Sequence, residues 1–321
     1  MRVETHLSGN LPRSEVLFRL LRRHSRGKTS WEEVRAGAER ETIGWIYFIE
    51  NNLTLVTDPM LLWHDHFRPF TENVVGMEVN GLSRWYDNNT FYKVPVIKSK
   101  LGLSEPFLDR YLFPTLLRGR KVKLILPDPL TMYRLSLNNG YSDESELVID
   151  LSEVISTEAH RMVLKWALDV RLVQLTAPEM ARRLSEDELV LVREIVGSFR
   201  KKFGCALQLH TCFFPAGRTL RSLLDSGADI VGIDLHATPV SALKGVDVDR
   251  ELALGVVDAR SVVVEEPNAC ASLAEKAVDA TGARAVHLTA NTDLEYLPVE
   301  VAKEKLRVLS ECARLLRERW T

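Results

Sequence analysis

The chain has 321 residues, of which 45% are hydrophobic and 27% charged, so it can bury a large core without disulfides or structural metals. Its formal net charge of -2 gives no general attraction to nucleic acid or to anionic membranes, and neither partner is expected. No apolar run approaches the roughly 20 residues of a spanning helix, and the start lacks a signal-peptide hydrophobic region. We therefore expect a cytoplasmic protein whose four cysteines are thiols.

Short β-branched runs alternate with amphipathic helical patterns along nearly the whole chain, a pattern typical of a parallel sheet built from βα units. The eight predicted strands cover residues 3–8, 54–58, 121–126, 171–176, 206–211, 229–234, 253–258 and 285–290. Long helices are predicted over 146–169, 187–202 and 299–320. Eight strands that alternate with helices favour a closed (β/α)₈, or TIM, barrel that forms a single domain over residues 1–321.

One segment, about residues 63–100, is aromatic, rich in turn residues and without helical period. Asp87-Asn88-Asn89 indicates a turn between two strand-like runs, which predicts a β-hairpin excursion after strand two. In a barrel such an excursion lies at the C-terminal ends of the strands and can wall the active site. The alternative is a hairpin that packs on the barrel or on a partner, and the sequence favours neither.

Every predicted strand runs from an apolar body into polar or ionisable residues, and barrel active sites are built at these C-terminal ends. Helix N-caps use the same residue types, so one such residue alone says little, but together they favour a polar mouth. The strand-end residues include Ser8, Asn10, Asp58, Asp128, Thr176, His210, Cys212, Asp234, Asp258, Asn291 and Asp293.

His210 and Cys212 form the sharpest pair, because residues at i and i+2 of a strand face the same side. Imidazole and thiolate are common zinc ligands, and a catalytic zinc takes three protein ligands and keeps one position open. Asp234, at the end of the next strand, could supply the third ligand. The alternative is a buried cysteine beside a hydrogen-bonded histidine.

At these positions the chain resembles the catalytic, C-terminal barrel of cobalamin-independent methionine synthase, in its short stand-alone form. The similarity covers nearly the whole chain, and the motifs follow the family's order and spacing. The motifs that carry it are SGNLPR (8–13), LPDPLTMYRLS (126–136), VQLTAPEM (173–180), LQLHTCFF (207–214), ADIVGIDL (228–235), LGVVDARS (254–261) and LTANTDLEYLP (288–298).

In that family zinc is held by His, Cys, Glu and a second Cys, and it activates the thiol of homocysteine. The resemblance implies that His210 and Cys212 are the first two ligands and that Asp234 replaces the glutamate, while Leu294 stands in place of the second cysteine. Arg260 stands where the family has a histidine proposed as proton donor. The resemblance also implies a substrate site at the strand ends, formed by Ser8, Asn10, Asp58, Thr176, Asp258, Asn291 and Asp293.

The function implied by the resemblance is a zinc-assisted S-methyltransferase of methionine biosynthesis. It would move a methyl group from a methylfolate or a methylcorrinoid to a thiol such as homocysteine. The departures at the ligand and substrate positions leave a second hypothesis open. In it the chain is a catalytically altered or non-catalytic paralogue that assists a partner, either a corrinoid protein or a second methyltransferase subunit. A third hypothesis is a related barrel that acts on a corrinoid or tetrapyrrole without zinc.

Overall fold

The structure, a computed structural model, describes residues 1–86, 88, 90–246 and 248–320. The strands are β1 (Arg2–Thr5), β2 (Val75–Arg84), β3 (Phe91–Gly102), β4 (Lys121–Pro127), β5 (Leu137–Asn138), β6 (Asp169–Thr176), β7 (Ala206–His210), β8 (Ile230–Asp234), β9 (Glu251–Val257) and β10 (Ala285–Ala290). The helices are α1 (Glu15–His24), α2 (Trp31–Asn52), α3 (Arg68–Thr71), α4 (Pro129–Arg134), α5 (Glu144–Trp166), α6 (Pro178–Arg182), α7 (Glu186–Phe203), α8 (Leu220–Asp225), α9 (Pro267–Thr281) and α10 (Val299–Arg319).

The fold is mixed α/β, with a curved parallel sheet at its centre. Within the described residues this sheet has seven strands in the order β1-β10-β9-β8-β7-β6-β4. Every residue of β8 and β10 is buried, as expected for parallel strands that are covered on both faces. Helices connect most of the neighbouring strands, so all seven strands run in the same direction and their C-terminal ends lie at the same end of the sheet.

The second predicted strand, 54–58, is reduced to a single bridge between Val56 and Val122. Even so, this segment contacts both outer strands of the sheet. The Thr54 amide donates to the Thr5 carbonyl of β1 at 3.0 Å, and the Val56 amide donates to the Lys121 carbonyl of β4 at 2.9 Å. Pro59 follows directly and has no amide hydrogen to continue the pairing.

A smaller sheet occupies the segment that interrupts the βα pattern. β2 and β3 pair antiparallel, with Glu78 opposite Val96 and Arg84 opposite Phe91, and β5 adds to β3 in parallel. The short helix α3 precedes them in the stretch that was expected to lack helix. Two residues of the expected turn, Asp87 and Asn89, lie outside the described residues.

The three long predicted helices are present, with ends displaced by a few residues. α5 begins at Glu144 because the Asp143 side chain accepts hydrogen bonds from the first-turn amides of Ser145 and Glu146. α7 ends at Gly204, whose φ of 61° is the left-handed conformation expected of a helix C-cap. In the described part of the chain no helix is both long and apolar enough to cross a membrane.

Candidate functional site

His210 ends β7 and is fully buried, and both of its ring nitrogens have protein neighbours. Nδ1 lies 3.1 Å from the Gln208 Nε2 atom, and Nε2 lies 3.1 Å from the Asn291 carbonyl oxygen. Burial, together with the charged form of the nearby Lys123, lowers the pKa of His210 to about 3. The imidazole is therefore neutral at physiological pH, and neither nitrogen is free of a neighbour.

Asp234 ends β8, and its carboxylate closes the turn that follows this strand. Oδ1 accepts hydrogen bonds from the His236 and Ala237 amides at 2.9 and 3.0 Å, and from the Asn291 Nδ2 atom at 3.2 Å. Oδ2 accepts from the Phe213 amide at 3.3 Å and lies 3.4 Å from the Arg260 guanidinium. The carboxylate is thus occupied by donors from its own loop and the neighbouring ones.

Cys212 is fully buried, and burial beside the Asp293 and Asp234 carboxylates raises the pKa of its thiol. With no cation bound, this environment favours the protonated thiol over the thiolate that a zinc ion would need. Leu294, in place of the family's second cysteine, is buried and supplies no donor.

The expected metal ligands His210, Cys212 and Asp234 do not fit a zinc ion. Across the described residues, no group of three or more His, Cys, Asp or Glu side chains is arranged to hold a metal. The zinc set expected from the sequence stays a prediction. The i, i+2 spacing predicts that both side chains point to the same side of the strand. It cannot show whether the possible ligand atoms already have hydrogen-bond partners.

The expected substrate residues fall into separate groups. The Asn291 Nδ2 atom joins Asp234 to Asp258, at 3.2 and 2.9 Å. Thr176 lies apart, where its hydroxyl accepts a hydrogen bond from Gln174 Nε2 at 3.1 Å. Asp58 holds the loops together, since its carboxylate accepts from the Met60 and Phe113 amides at 2.8 and 2.7 Å.

Asp293 is the centre of the remaining group. Its Oδ1 atom accepts a hydrogen bond from the Asn10 amide at 2.8 Å, and the Ser8 hydroxyl donates to the neighbouring Thr292 carbonyl at 2.8 Å. A Cβ atom at Gly9 would lie 1.7 Å from Asp293 Oδ1, so the loop after β1 can pack this closely only with glycine there. The loops after the first and last strands therefore fit tightly together around this carboxylate.

His66 forms a buried ion pair with Asp293 across 2.9 Å, from Nε2 to Oδ2. Burial opposes charge on both groups. Their mutual attraction outweighs burial, so the pKa of His66 is raised and the pKa of Asp293 is lowered. Trp85 stacks on the His66 ring with 5.0 Å between ring centroids. The sequence signal for His66 was its i, i+2 spacing with His64 in WHDHF (63–67), which could indicate metal binding but favours a structural loop role.

A cavity of about 250 Å³ opens beside this pair. Arg13 and Glu295, 3.3 Å apart, provide both signs of charge, and the Trp85 Nε1 atom is buried without a hydrogen-bond partner among the described residues. Such a cavity suits a small zwitterion with an apolar side chain. Its lining comprises Arg13, Phe18, His64, Asp65, His66, Trp85, Thr90, Phe91, Tyr92, Glu295 and Tyr296.

The segment after β2 reaches the loop that follows β7. Tyr86 stacks on Phe213 with 5.0 Å between ring centroids, and its edge meets Phe214 at 5.2 Å. Tyr86 and Phe213 both have positive φ, 53° and 68°, a conformation that non-glycine residues adopt at an energetic cost. The aromatic contacts stabilise this arrangement, which includes the residue that follows the buried Cys212.

Comparison with known proteins gives one family. The family model described as cobalamin-independent synthase, N-terminal domain, matches residues 72–281. A methionine synthase of Sulfurisphaera tokodaii is 24% identical over 320 residues, which span 98% of this chain and 92% of the relative. One from Saccharolobus solfataricus is also 24% identical, over 98% of this chain and 95% of the relative.

Solved structures share the fold. A B12-independent methionine synthase from Shewanella sp. W3-18-1, in complex with selenomethionine, has a TM-score of 0.81 at 18% identity and covers 100% of this chain and 99% of its own. A putative vitamin-B12 independent methionine synthase from Listeria monocytogenes has a TM-score of 0.74 at 16% identity, with full coverage of both chains.

The family expected from the sequence is confirmed, but the domain differs. The matching family model is that of the N-terminal domain, whereas the sequence motifs were compared with the catalytic C-terminal barrel. The zinc ligands were carried over from that catalytic barrel. That assignment stays a prediction from the sequence, and in the structure His210 and Asp234 have other neighbours.

Proposed function

The chain belongs to the cobalamin-independent synthase family, and from this membership we propose that it is a methionine-synthase-like S-methyltransferase. It transfers a methyl group from a methylfolate or a methylcorrinoid to a thiol such as homocysteine. The observation that carries the proposal is the cavity beside His66, which joins opposite charges to aromatic walls at the C-terminal ends of the strands. The selenomethionine complex of the Shewanella relative supports an amino acid of this class as the ligand.

The amino acid binds through its charged groups. The Arg13 guanidinium, anchored by a 2.7 Å hydrogen bond to the Leu61 carbonyl, receives the carboxylate, and Glu295 receives the ammonium group. The Asn10 side chain is fully buried near the Glu295 carboxyl group, and within the described part of the chain its Nδ2 and Oδ1 atoms have no hydrogen bond of good geometry. We assign it to the ligand as well, together with Ser8 and Asp293 from the same tightly packed loops. The other expected contacts, Asp58, Thr176, Asp258 and Asn291, support the loops around them.

His66 is the general base of the proposed reaction. Its Nε2 atom faces Asp293, so Nδ1 is the nitrogen that takes the thiol proton. The S–H bond breaks, the sulfur forms a bond to the methyl carbon, and the bond between that carbon and the donor breaks with its electron pair on the donor. With a methylfolate, the proton on His66 then passes to the leaving nitrogen; with a methylcorrinoid it passes to water.

Zinc has no step in this scheme. The zinc-assisted route expected from the sequence would require His210, Cys212 and Asp234 to give up their present neighbours and, for Cys212, its proton. The methyl donor approaches from outside, because about 250 Å³ holds a small amino acid and not a large heterocycle as well. Phe18 and Phe91, about half exposed at the cavity, offer flat apolar surface for the donor.

The hydrogen bonds of residues 54–56 support one further part of the proposal. The segment serves as the second of eight strands and closes the curved sheet into a (β/α)₈ barrel that forms one domain over residues 1–321. In such a barrel the cavity beside His66 lies at the face where catalytic residues are found.

The second candidate function is that of an assisting paralogue, which one surface feature favours. Val262, Val263 and Val264 follow β9 and are 62%, 70% and 39% exposed. Consecutive exposed valines are unusual on a protein surface and are typical of a contact with a partner. In this role the chain would hold a competent methyltransferase or a corrinoid protein near its strand ends.

The test is methionine formation from homocysteine, measured by mass spectrometry with methyltetrahydrofolate and, separately, with methylcobalamin. Methionine formed by the purified chain with either donor supports the methyltransferase. Methionine formed only after a competent methyltransferase or corrinoid protein is added supports the assisting role. Absence of methionine under all these conditions would contradict both.

A further inference from the structure

Lys123 lies in the interior of the curved sheet and is completely buried. Its Nζ atom lies 2.8 Å from His6 Nδ1, 2.7 Å from the Leu7 carbonyl oxygen and 2.6 Å from Gln174 Oε1. It has no carboxylate partner among these close neighbours. Burial lowers the pKa of Lys123 well below its usual value, so the amine can exist without charge in this place.

A chain of hydrogen-bonding groups leads from Lys123 to the N-terminal ends of the strands. His6 Nε2 lies 3.1 Å from His287 Nδ1, and His287 Nε2 lies 2.7 Å from Glu251 Oε2. Glu251 is about 30% exposed and lines a cavity of about 1060 Å³ at the N-terminal ends of the strands. The two imidazoles thus span the distance between a buried amine and a carboxylate that is open to solvent.

We propose that His287 and His6 form a proton wire, which connects Lys123 to solvent through Glu251 at the N-terminal ends of the strands. The wire goes beyond methyl transfer and does not depend on it. Imidazole suits this role because each ring can accept a proton on one nitrogen and release one from the other.

The proton count balances in both states of the wire. In the first state of the wire, His287 is an imidazolium that donates one hydrogen bond to Glu251 and one to His6 Nε2. The Nδ1–H group of His6 donates to the neutral Lys123 amine. When the His287 Nδ1 proton moves to His6 Nε2, the His6 Nδ1 proton moves to Lys123. The resulting ammonium has three hydrogens and three acceptors, namely His6 Nδ1, the Leu7 carbonyl and Gln174 Oε1. Every hydrogen bond is satisfied before and after the shift.

Through the wire, the protonation of Glu251 and His287 at the N-terminal ends of the strands sets the charge of Lys123. Lys123 lies beneath the polar mouth at the C-terminal ends. Gln174 Nε2 donates to the Ser8 carbonyl at 2.7 Å. The Gln208 amide lies 3.5 Å from Lys123 Nζ through Oε1 and 3.1 Å from His210 Nδ1 through Nε2, so both side-chain amides link Lys123 to the mouth. Other charged groups face the wire as well. Arg2 pairs with Glu251, and Glu4 and Lys121 line the same cavity. On the mouth side, the titratable group that acts on the pKa of His6 is His210, which is neutral at physiological pH.

The test is the exchange of the His6 side-chain N–H hydrogen with water, measured by NMR on the full chain with ¹⁵N-labelled histidine. We expect this buried hydrogen to exchange faster than the backbone amides of β1 and β10. His287→Gln keeps a donor and an acceptor but cannot pass a proton on, and it should slow the exchange at least about tenfold, to the rate set by local opening.

Glu251→Gln acts at the partly exposed end of the wire and should slow the same exchange, which keeps the test valid if His287→Gln fails to fold. Glu4→Gln, in the same cavity but off the wire, is the matched control and should leave the rate unchanged. An equal exchange rate in the wild type and both wire variants, or a wild-type rate as slow as that of the β1 amides, would overturn the proposal.

Discussion

His66 and Asp293 form a buried ion pair, with 2.9 Å between Nε2 and Oδ2, and the pair joins the loop after residue 63 to the loop after β10. The Tyr296 hydroxyl and the Asn10 amide donate to the same carboxylate, at 3.2 and 2.8 Å. The carboxylate is therefore held by groups from three loops, which fixes the imidazole on the wall of the cavity.

The stability that the His66–Asp293 pair contributes depends on pH. The pKa of His66 is raised above its ordinary 6.5, so its contribution is complete below about pH 6.5 and is lost as pH rises through the folded-state pKa. The pKa of Asp293 is lowered below its ordinary 3.8, so its contribution is present above about pH 3.8 and is lost at lower pH. The pair is thus fully stabilising between about pH 4 and pH 6.5.

His66→Gln should therefore lower the free energy of unfolding by about 3 kcal/mol near pH 5.5 and by less near pH 8.5, measured by urea denaturation. His64→Gln is the matched control. Desolvation together with Arg13 lowers the pKa of His64 to about 4, so this ring is neutral at both pH values. An equal loss of stability at the two pH values for His66→Gln would show that the pair is not ionised.

Gly9→Ala should disrupt the packing around Asp293, because the added Cβ would lie 1.7 Å from Oδ1 and 3.1 Å from the Asp293 Cα atom. We expect a loss of about 1–3 kcal/mol in the free energy of unfolding, together with weaker methionine binding. Gly44→Ala, in the middle of α2 with no heavy atom within 4 Å of the new Cβ, should instead add up to about 1 kcal/mol. Equal stability changes at the two positions would contradict this account.

Cys212→Ser should leave the metal content of the protein unchanged, because the thiol is protonated and His210 and Asp234 have other neighbours. The measurement is zinc by atomic emission, on protein purified without a histidine tag. The buried hydroxyl should cost about 1–3 kcal/mol of stability, which a thermal unfolding scan would report. Stoichiometric zinc in the wild type that is lost in Cys212→Ser would contradict this prediction and support His210, Cys212 and Asp234 as zinc ligands.

Arg13→Lys keeps the positive charge but loses the planar fork that binds a carboxylate through two nitrogens. The dissociation constant for methionine, measured by isothermal titration calorimetry, should rise by about tenfold, which corresponds to about 1.4 kcal/mol. Arg68→Lys is the control, since Arg68 pairs with Asp65 and Glu72 and is not part of the cavity lining. Unchanged affinity in Arg13→Lys would remove Arg13 from the site.

Much of the fold could be predicted from the sequence, because the strands bury both faces and show as continuous apolar runs. Seven of the eight predicted strands lie within a few residues of those in the described structure. The second is reduced to a single bridge at Val56. The five residues before Pro59 have the composition of a strand, but composition does not show whether their amides find partners. The helix predicted over 187–202 lies within one residue of α7 at each end, since a serine N-cap and a glycine C-cap mark its limits.

The site could be predicted only in part. Asp293 and Asn10 were expected at the strand ends, but the partner of Asp293 was not, because His66 lies 227 residues away in the sequence. Lys123 was missed for a related reason. A lysine in the apolar run KVKLIL indicates an exposed position, and only the structure shows that its Nζ atom lies among His6, Leu7 and Gln174.

The most direct test of the central claim is the rate of methionine formation by chelator-treated protein, compared among wild type, His66→Gln and Cys212→Ser. The wild type should stay active, and its kcat/KM should rise with pH through a pKa above 6.5, the ordinary value for a histidine, because the pKa of His66 is raised. His66→Gln should lose about 100-fold or more in kcat, as expected for a general base, and Cys212→Ser should keep its rate. Wild-type activity in His66→Gln, with activity that depends on zinc and is lost in Cys212→Ser, would contradict it.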